Sequence, residues 1–418
     1  MLKRLRSVAL FEDIFTLSLG SAIAQALAVL ISPILTRLYT PADYGLFGSF
    51  SAIVTIISMV ATLKYEQAVS LEKEESGAIS IVGVCFALAI VTSVLAAVGF
   101  FVAAISESSR MPEGFGSLLL AFGAPSILVA ALFNPLQFLG LRRRIYLSLA
   151  AFQVAKSAGM AVFQISLALA GFAAWGLVAG QWLATALALL IVMIPLRHDL
   201  MAAVRQLPHV GLLWSAAARH PTLPRYGAPQ TFVSGVATNI PTYLLTYLFG
   251  PTEAGWFWMS YRLLVLPNVV LIENIRSVLF QRMATLKNNG QSLRPITFKA
   301  SLALLVACLL ITAFLFAFGE TLFVWVFGPQ WGTAGTYIAI LAVGWAFQNA
   351  AVPSAAVTVV VGRQKEQLIM EIVSAAARIG ALIAGGMMHD ATMALSLYAG
   401  ASLLASVAYM GFVWRILP

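Results

Sequence analysis

Long runs of apolar residues, separated by short polar segments, occupy nearly the whole chain. Each run has about the 20 residues that an α-helix needs to cross the hydrocarbon core of a bilayer. None shows the alternation of apolar and polar residues over about ten positions that marks a strand of a membrane β-barrel. The pattern predicts an all-α integral membrane protein with twelve transmembrane helices, at 14–38, 43–63, 77–105, 116–140, 147–170, 174–196, 228–249, 254–281, 300–319, 334–360, 367–387 and 393–414.

The longest polar segment, at 197–227, divides the predicted helices into two sets of six. We therefore expect an N-terminal six-helix bundle at 1–196, a cytoplasmic linker at 197–227 and a C-terminal six-helix bundle at 228–418. The centre of the linker reads LMAAVRQLPHVGLLW, which is amphipathic enough to lie along the membrane surface. Pro208 argues against one continuous helix there.

An internal repeat relates the two sets. The stretch LYTPADYGLFG at 38–48 is echoed by LFGPTEAGWF at 248–257, so that Pro41 falls on Pro251 and Asp43 on Glu253. Both stretches join the first and second helix of a set, where the acids are expected to start helices. Six helices per repeat is an even number, so the bundles enter the membrane in the same direction, related by a pseudo-two-fold axis along the membrane normal. Repeats of this kind are typical of secondary transporters, whose substrates bind between the repeats.

Composition and charge agree with a membrane protein. Hydrophobic residues make up 61% of the chain, charged residues 10%, and mean hydropathy is +0.92, whereas soluble domains carry about 25% charged residues. The net charge of +9 is explained by basic residues concentrated in alternate polar segments. Because such segments face the cytoplasm, this asymmetry predicts that both termini are cytoplasmic, and it leaves no reason to expect a nucleic-acid partner.

No motif of an enzyme or a metal site is present in the sequence. The two cysteines lie in apolar runs, and the four histidines lack the spacing of metal ligands. We therefore expect no catalytic residues, no metal and no cofactor. A membrane glycosyltransferase or polymerase that uses a lipid-linked donor is the alternative, but it needs clustered acids, and here the acids of the outer loops are scattered.

Several stretches carry a family resemblance. They are ISPILTRLYTPADYGLFGSF at 31–50, KYEQAVSL at 64–71, GFAAWGLVAGQWL at 171–183, RYGAPQTFVSGVATNIPTYLLTYLFGPTEAGWFWMSYRLLVLP at 225–267 and FGPQWGTAGTYIAILA at 327–342. In this order they resemble the Wzx-type oligosaccharide (O-antigen) flippases, polysaccharide biosynthesis proteins of the superfamily that includes the multidrug (MATE) exporters and the lipid II flippases.

The resemblance implies a substrate and a location. The substrate is an undecaprenyl-diphosphate-type lipid-linked oligosaccharide, passed from the cytoplasmic to the outer leaflet of a bacterial inner membrane by alternating access. It also implies contact with membrane lipids and with other polysaccharide assembly proteins, and coupling to a proton or sodium gradient. A MATE-like antiporter of small molecules or drugs is the alternative. It would prefer acids within the membrane, whereas the deep ionisable residues here are mostly basic.

Ionisable residues within the predicted spans are the candidates for contact with such a substrate. Each costs about 2.5–3.5 kcal/mol at the centre of a membrane helix and therefore needs a reason. In a continuous eighth helix, Arg262, Glu273 and Arg276 share one face, and the last two can pair. In the eleventh helix, Glu371 and Arg378 share a face. We interpret Arg276 and Arg378 as contacts for a diphosphate, and Glu273, Glu371 and Arg262 as coupling or ion-pair candidates. A structural ion pair, or side chains that extend to the membrane surface, are the alternatives.

The fifth span supplies the other predicted contacts. Its polar stripe holds Gln153, Lys156, Ser157 and Gln164. Lys156 is a candidate cation for the diphosphate. Gln25 of the first span, Gln153 and Asn239 of the seventh are candidates for binding the sugars. The alternative for stripes of small polar residues is that they hold helices together.

Overall fold

The computed structural model describes residues 2–105, 112–268 and 272–417, and the side chains of these residues except 2–15, 273 and 274. The described residues form helices and connecting turns, and contain no strand. By their contacts they divide into two compact units, Met1–Ile240 and Pro241–Pro418. The division falls within one helix, at Pro241.

The described residues of the first unit form nine complete helices. They are α1 (Leu2–Leu38), α2 (Pro41–Val60), α3 (Ala68–Leu71), α4 (Glu75–Ile105), α5 (Phe115–Arg142), α6 (Tyr146–Leu169), α7 (Ala173–Met193), α8 (Arg197–Gln206) and α9 (Val210–Ala218). The helix α10 (Ala228–Phe249) begins in this unit and ends in the second.

In the part of the second unit that the structure describes, seven more helices follow. They are α11 (Pro251–Pro267), α12 (Glu273–Asn288), α13 (Arg294–Phe327), α14 (Gly332–Ala350), α15 (Val352–Val361), α16 (Gln364–Met387) and α17 (Ala391–Ile416).

Ten stretches of the described chain are helical, long and apolar enough to cross a membrane. They correspond to the first six and the last four predicted spans, so the prediction of a multi-pass all-α membrane protein is confirmed. The predicted seventh span is α10. The predicted eighth span is not one uninterrupted α-helix, because α11 ends at Pro267 and α12 begins at Glu273, with residues 269–271 outside the description.

The same packing scheme occurs in both units. In the first, α5 packs against α2, α4 and α7, and α6 packs against α7. In the second, α14 packs against α11, α13 and α17, and α16 packs against α17. These are equivalent pairs in two sets of helices, and they confirm the internal repeat that the sequence predicts.

The repeated hairpin shows why its residues recur. Pro41 and Pro251 are the first residues of α2 and α11, where proline loses no hydrogen bond and its fixed φ suits a helix. Thr40 and Asp43 form a capping box, in which the Asp43 carboxylate accepts from Thr40 N at 2.8 Å. This confirms Asp43 as a helix-start residue. Glu253 occupies the equivalent position in α11, and its carboxylate accepts a hydrogen bond from the hydroxyl of Tyr337 in α14.

The linker forms two helices, α8 and α9, separated around Pro208. The expectation that proline interrupts a continuous helix is confirmed. Both helices pack against α4, and their buried residues belong to the main core of the first unit.

Ion pairs join the linker to neighbouring turns of the first unit. The guanidinium of Arg143 donates two hydrogen bonds of 2.8 Å to the carboxylate of Asp199 in α8. The carboxylate of Glu72 lies 3.0 Å from Arg219 Nε and 3.0 Å from His220 Nε2. Burial opposes ionisation of Glu72, but the hydrogen bonds and charges of His220 and Arg219 outweigh it and lower the pKa of this carboxyl below its usual 4.5.

This lowered pKa predicts a pH dependence of stability. A carboxyl whose pKa is lower in the folded state stabilises the fold above its unfolded pKa, and that contribution disappears as pH falls through the folded value. Glu72→Gln should therefore reduce the unfolding temperature near neutral pH, by an amount equivalent to at most about 1 kcal/mol. The difference from the parent should shrink as pH falls below 4.5 and vanish once pH is below the lowered pKa of the folded state. Thermal unfolding of the purified chain in detergent measures both values, and a difference that stays constant with pH would contradict the ion pair.

Candidate functional site

Four membrane-spanning helices of the first unit, α2, α5, α6 and α7, surround a cavity of about 230 Å³. Polar side chains from all four helices reach it, although each helix also carries long apolar stretches. The polar lining residues are Thr55, Ser58, Ser126, Asn134, Lys156, Gln181, Trp182 and Thr185. Because polar groups are expensive within a membrane, their convergence on one cavity marks a candidate binding site.

Lys156 is the only cation in this lining, and no Asp or Glu is among the described residues that line the cavity. It is the eleventh of the 24 residues of α6, about 15 Å from the start of that helix. No ion pair or hydrogen bond to Lys156 Nζ occurs within the described part of the chain. An ammonium at this depth needs an anionic or strongly polar partner, which a ligand can supply.

Two further polar groups of the lining are buried without a hydrogen-bond partner. They are Trp182 Nε1 on α7 and Ser58 Oγ on α2. The indole N–H can only donate, and the hydroxyl can donate or accept. Buried polar groups are seldom left unpaired, since each costs about 1–3 kcal/mol. Ser58 and Trp182 line the cavity together with Lys156, whose charge suits a ligand with anionic oxygens.

The predicted polar stripe of α6 separates into two roles. Lys156 faces the cavity. Ser157 instead donates to the carbonyl of Ala24 in α1 at 2.7 Å. The amide of Gln164 donates to the carbonyl of Leu177 in α7 at 2.9 Å. For Ser157 and Gln164 the structure therefore favours the alternative interpretation, helix packing.

The predicted neutral contacts lie elsewhere in the first unit. Gln25 on α1 and Gln153 on α6 are partly buried but are not among the residues that line the cavity. Asn239 on α10 donates through Nδ2 to the carbonyl of Gly235, four residues earlier in its own helix, at 2.9 Å. Their roles in binding sugars stay predictions.

Arg378 lies in a membrane-spanning segment of the second unit. It is partly buried on α16, where its Nε donates to the carbonyl of Ser374 at 3.2 Å, and its side chain lies near Tyr398 of α17. It also lies near Tyr261 of α11. Arg378 therefore lies beside two tyrosines, and its contact with a diphosphate stays a prediction.

The remaining ionisable candidates of the second unit lie at separate places. The guanidinium of Arg262 lies 5.0 Å from the ring centre of Trp258, one turn away on α11. Arg276 is exposed on α12 and Glu371 is exposed on α16. The side chain of Glu273 lies outside the described residues, so its pairing with Arg276 stays a prediction. The prediction that Arg262, Glu273 and Arg276 share one face assumes a single uninterrupted helix. In the structure α11 ends at Pro267 and α12 begins at Glu273.

Several residues of the cavity, above all Ser58, Asn134 and Trp182, were not predicted from the sequence. A signal was present, because Asn134 and Gln181 are strongly polar residues within apolar runs. Ser58, Asn134 and Gln181 lie within the second, fourth and sixth spans, and all three line the cavity with Lys156. Among the described residues no group of three His, Cys, Asp or Glu is placed to hold a metal ion.

Comparison with protein families decides the identity of the chain. The model of a family described as polysaccharide biosynthesis protein matches residues 34–336, well over half of the chain. The chain belongs to this family. The resemblance that the sequence motifs carry is thereby confirmed, and the cavity lies wholly within the matched residues. No curated protein matches the chain by sequence.

Solved structures place this family member in the fold of the multidrug/oligosaccharidyl-lipid/polysaccharide (MOP) superfamily. An inward-facing multidrug resistance MATE transporter of that superfamily superposes with a TM-score of 0.71 at 15% identity, covering 96% of this chain and 97% of the transporter. The lipid II flippase MurJ, in an inward closed conformation, gives 0.70 at 10% identity, covering 95% and 88%. A MOP superfamily transporter from Pyrococcus furiosus, described as having a binding pocket of reversed polarity, gives 0.58 at 13% identity, covering 96% and 95%. At these identities the likeness shows the fold.

Proposed function

We propose that the chain is a flippase. It carries a polyprenyl-diphosphate-linked oligosaccharide, of the undecaprenyl type, from the cytoplasmic to the outer leaflet of the bacterial inner membrane by alternating access, with both termini in the cytoplasm. The observation that carries the proposal is the cavity around Lys156, a cation without an acidic partner among neutral donors inside membrane-spanning helices. Family membership supplies the polysaccharide context.

The chemistry of the cavity fits the head group of such a substrate. Lys156 offers a point charge to anionic oxygens of the diphosphate or of an acidic sugar. Neutral polar residues of the lining, such as Asn134 and Gln181, offer hydrogen bonds to further oxygens. The volume of about 230 Å³ lies below the roughly 300–1,000 Å³ of pockets for whole drug-sized ligands. It therefore suits one chemical group of a large substrate, while the lipid tail stays in the bilayer.

The charge of the cavity also favours transport of an anionic lipid-linked substrate over export of small cationic drugs. A cation exporter needs acids to balance the charge of its cargo within the membrane. The described lining of the cavity holds an ammonium and neutral groups instead. An anionic cargo is therefore favoured. Coupling to a proton or sodium gradient, with Glu273, Glu371 or Arg262 as participants, is part of the proposal.

Complementation tests the proposed function. The chain is expressed in a bacterial strain that lacks its own repeat-unit flippase, and surface polysaccharide is followed together with lipid-linked oligosaccharide retained in the cell. We expect surface polysaccharide to return, and the retained intermediate to fall, for at least one type of repeat unit. Failure across a broad panel of repeat units, with the chain present in the membrane at normal levels, would overturn the proposal.

Arg276 and Arg378 give a second prediction in the same strain. If both contact the diphosphate, Arg276→Ala and Arg378→Ala should each reduce export by about tenfold or more, since loss of a charged partner costs about 2–5 kcal/mol. Arg→Lys at the same positions should retain more export than alanine. Full export by both alanine variants at normal protein levels would refute these contacts and would leave Lys156 as the cationic candidate.

A further inference from the structure

The linker helices α8 and α9 dock on α4 in the same way. Each buries two residues in the core of the first unit, Leu200 and Ala203 from α8 and Leu213 and Ala216 from α9. In both helices the two residues are three apart and lie on one face. The opposite side of each helix is exposed.

Large apolar side chains are exposed beside this docking face on both helices. Met201 follows Leu200 in α8, and Trp214 follows Leu213 in α9, so each projects about 100° round from a buried leucine. Trp214 is 75% exposed and Val210, at about 40° from it, is 70% exposed. Val204 of α8 is also exposed. Together the two helices thus present an apolar surface that the first unit leaves uncovered.

Positive charge accompanies this apolar surface. Arg197 and Arg205 are exposed on α8 and lie about 40° to either side of Met201 around the helix. The acid of that helix, Asp199, lies on another side and pairs with Arg143. The exposed side of α8 is therefore both apolar and cationic.

The position of the helices puts this surface at the boundary of the membrane. The membrane-spanning helix α7 ends at Met193, and α8 begins at Arg197. Helices that combine exposed apolar residues, tryptophan and arginine at this level lie in the interface between head groups and acyl chains. Anionic lipids attract such basic segments, with roughly a fivefold gain for each Lys or Arg.

We propose that the surface formed by Arg197, Met201, Val204, Arg205, Val210 and Trp214, here named the linker face, binds anionic phospholipid head groups of the adjoining leaflet. The arginines contact the phosphates, and the apolar side chains enter the upper acyl region. This function is additional to substrate translocation and does not depend on the identity of the cargo. It holds the linker against the bilayer.

Fluorescence quenching by brominated lipids tests the linker face. The full chain and Trp214→Phe are each reconstituted in two kinds of vesicle. One is made of brominated phosphatidylcholine, and the other of unbrominated phosphatidylcholine mixed with brominated phosphatidylglycerol. The difference between the two proteins isolates the emission of Trp214. We expect both brominated lipids to quench this emission. For the same amount of brominated lipid, the anionic one should quench it several-fold more. Trp214 emission that bromine does not quench would show that water or another protein covers the linker face, and would overturn the proposal.

Substitution of the arginines tests the choice of lipid. In Arg197→Gln/Arg205→Gln, the several-fold excess quenching by the anionic lipid should be lost, while quenching by phosphatidylcholine persists. The matched control is Arg144→Gln/Arg282→Gln, which removes two other exposed arginines and should keep the excess. Equal quenching by the two lipids in the parent, or equal loss in both double variants, would overturn selection of anionic lipid by this face.

Discussion

Replacing Lys156 with methionine should abolish most export, by about thirtyfold or more, while the chain still reaches the membrane. The reason is that Lys156 is the cation of the cavity and has no acidic partner in the described structure, so its charge is available to the substrate. Removing one partner of a desolvated charge pair costs about 2–5 kcal/mol or more. Methionine keeps the apolar stem and length, so the fold should tolerate the change.

Two variants control this prediction. Lys156→Arg keeps the charge and should retain part of the export that methionine loses. Val162→Ala changes an exposed residue of the same helix and should leave export at the parent level. The measurement is surface polysaccharide in the complemented strain, normalised to the amount of chain in the membrane. Export at the parent level by Lys156→Met would show that the cavity does not contact the substrate through this residue.

Gly385→Ala should destabilise the second unit by about 1–3 kcal/mol. A Cβ added at Gly385 on α16 would lie 2.2 Å from the Cα of Ala394, in the first turn of α17. Because the neighbour is backbone, the two helices must separate, and overpacking of this kind costs about 1–3 kcal/mol. Small residues are enriched in membrane helices for the reason that they allow such close packing.

Gly380→Ala is the matched control on the same helix. A Cβ added at Gly380 meets nothing within 4 Å, so alanine should leave the unfolding temperature unchanged or raise it, since it favours helix by about 1 kcal/mol over glycine. Thermal unfolding of both purified variants in the same detergent gives the comparison. Equal unfolding temperatures for Gly385→Ala and the parent would contradict the close approach of α16 and α17.

The fold was largely predictable because a bilayer restricts what can cross it. Every backbone polar group must be paired within the membrane, so apolar runs of sufficient length become helices. The repeat placed the acids Asp43 and Glu253 at helix starts, and Pro41 and Pro251 are the first residues of those helices. A proline such as Pro267 can kink a helix, but the hydropathy pattern did not place an interruption there. Apolar residues continue on both sides of it, and hydropathy does not register a change of helix geometry.

The cavity was predictable only in part, because it depends on which sides of four helices meet. Lys156 could be found from its charge alone. Ser58 and Trp182 could not, since serine and tryptophan are common in membrane helices. Only the structure distinguishes these two, because their polar atoms are buried without a hydrogen-bond partner. Gln164 looked equivalent to Lys156 by its position on α6, yet it is bound to the carbonyl of Leu177. Periodicity identifies the face of a helix, but the neighbouring helix decides what that face contacts.

Reconstituted translocation tests the central claim most directly. The purified chain is placed in vesicles that contain a defined polyprenyl-diphosphate-linked oligosaccharide in both leaflets, and a membrane-impermeant reagent that modifies sugars is added outside. If the chain is a flippase that binds its substrate through the Lys156 cavity, the parent will make the lipid-linked sugar of both leaflets accessible. Vesicles with Lys156→Met will expose only the outer-leaflet fraction. The account would be contradicted if, in vesicles with the parent chain, only the outer-leaflet sugar were modified. This outcome counts for repeat units whose export the chain supports in cells.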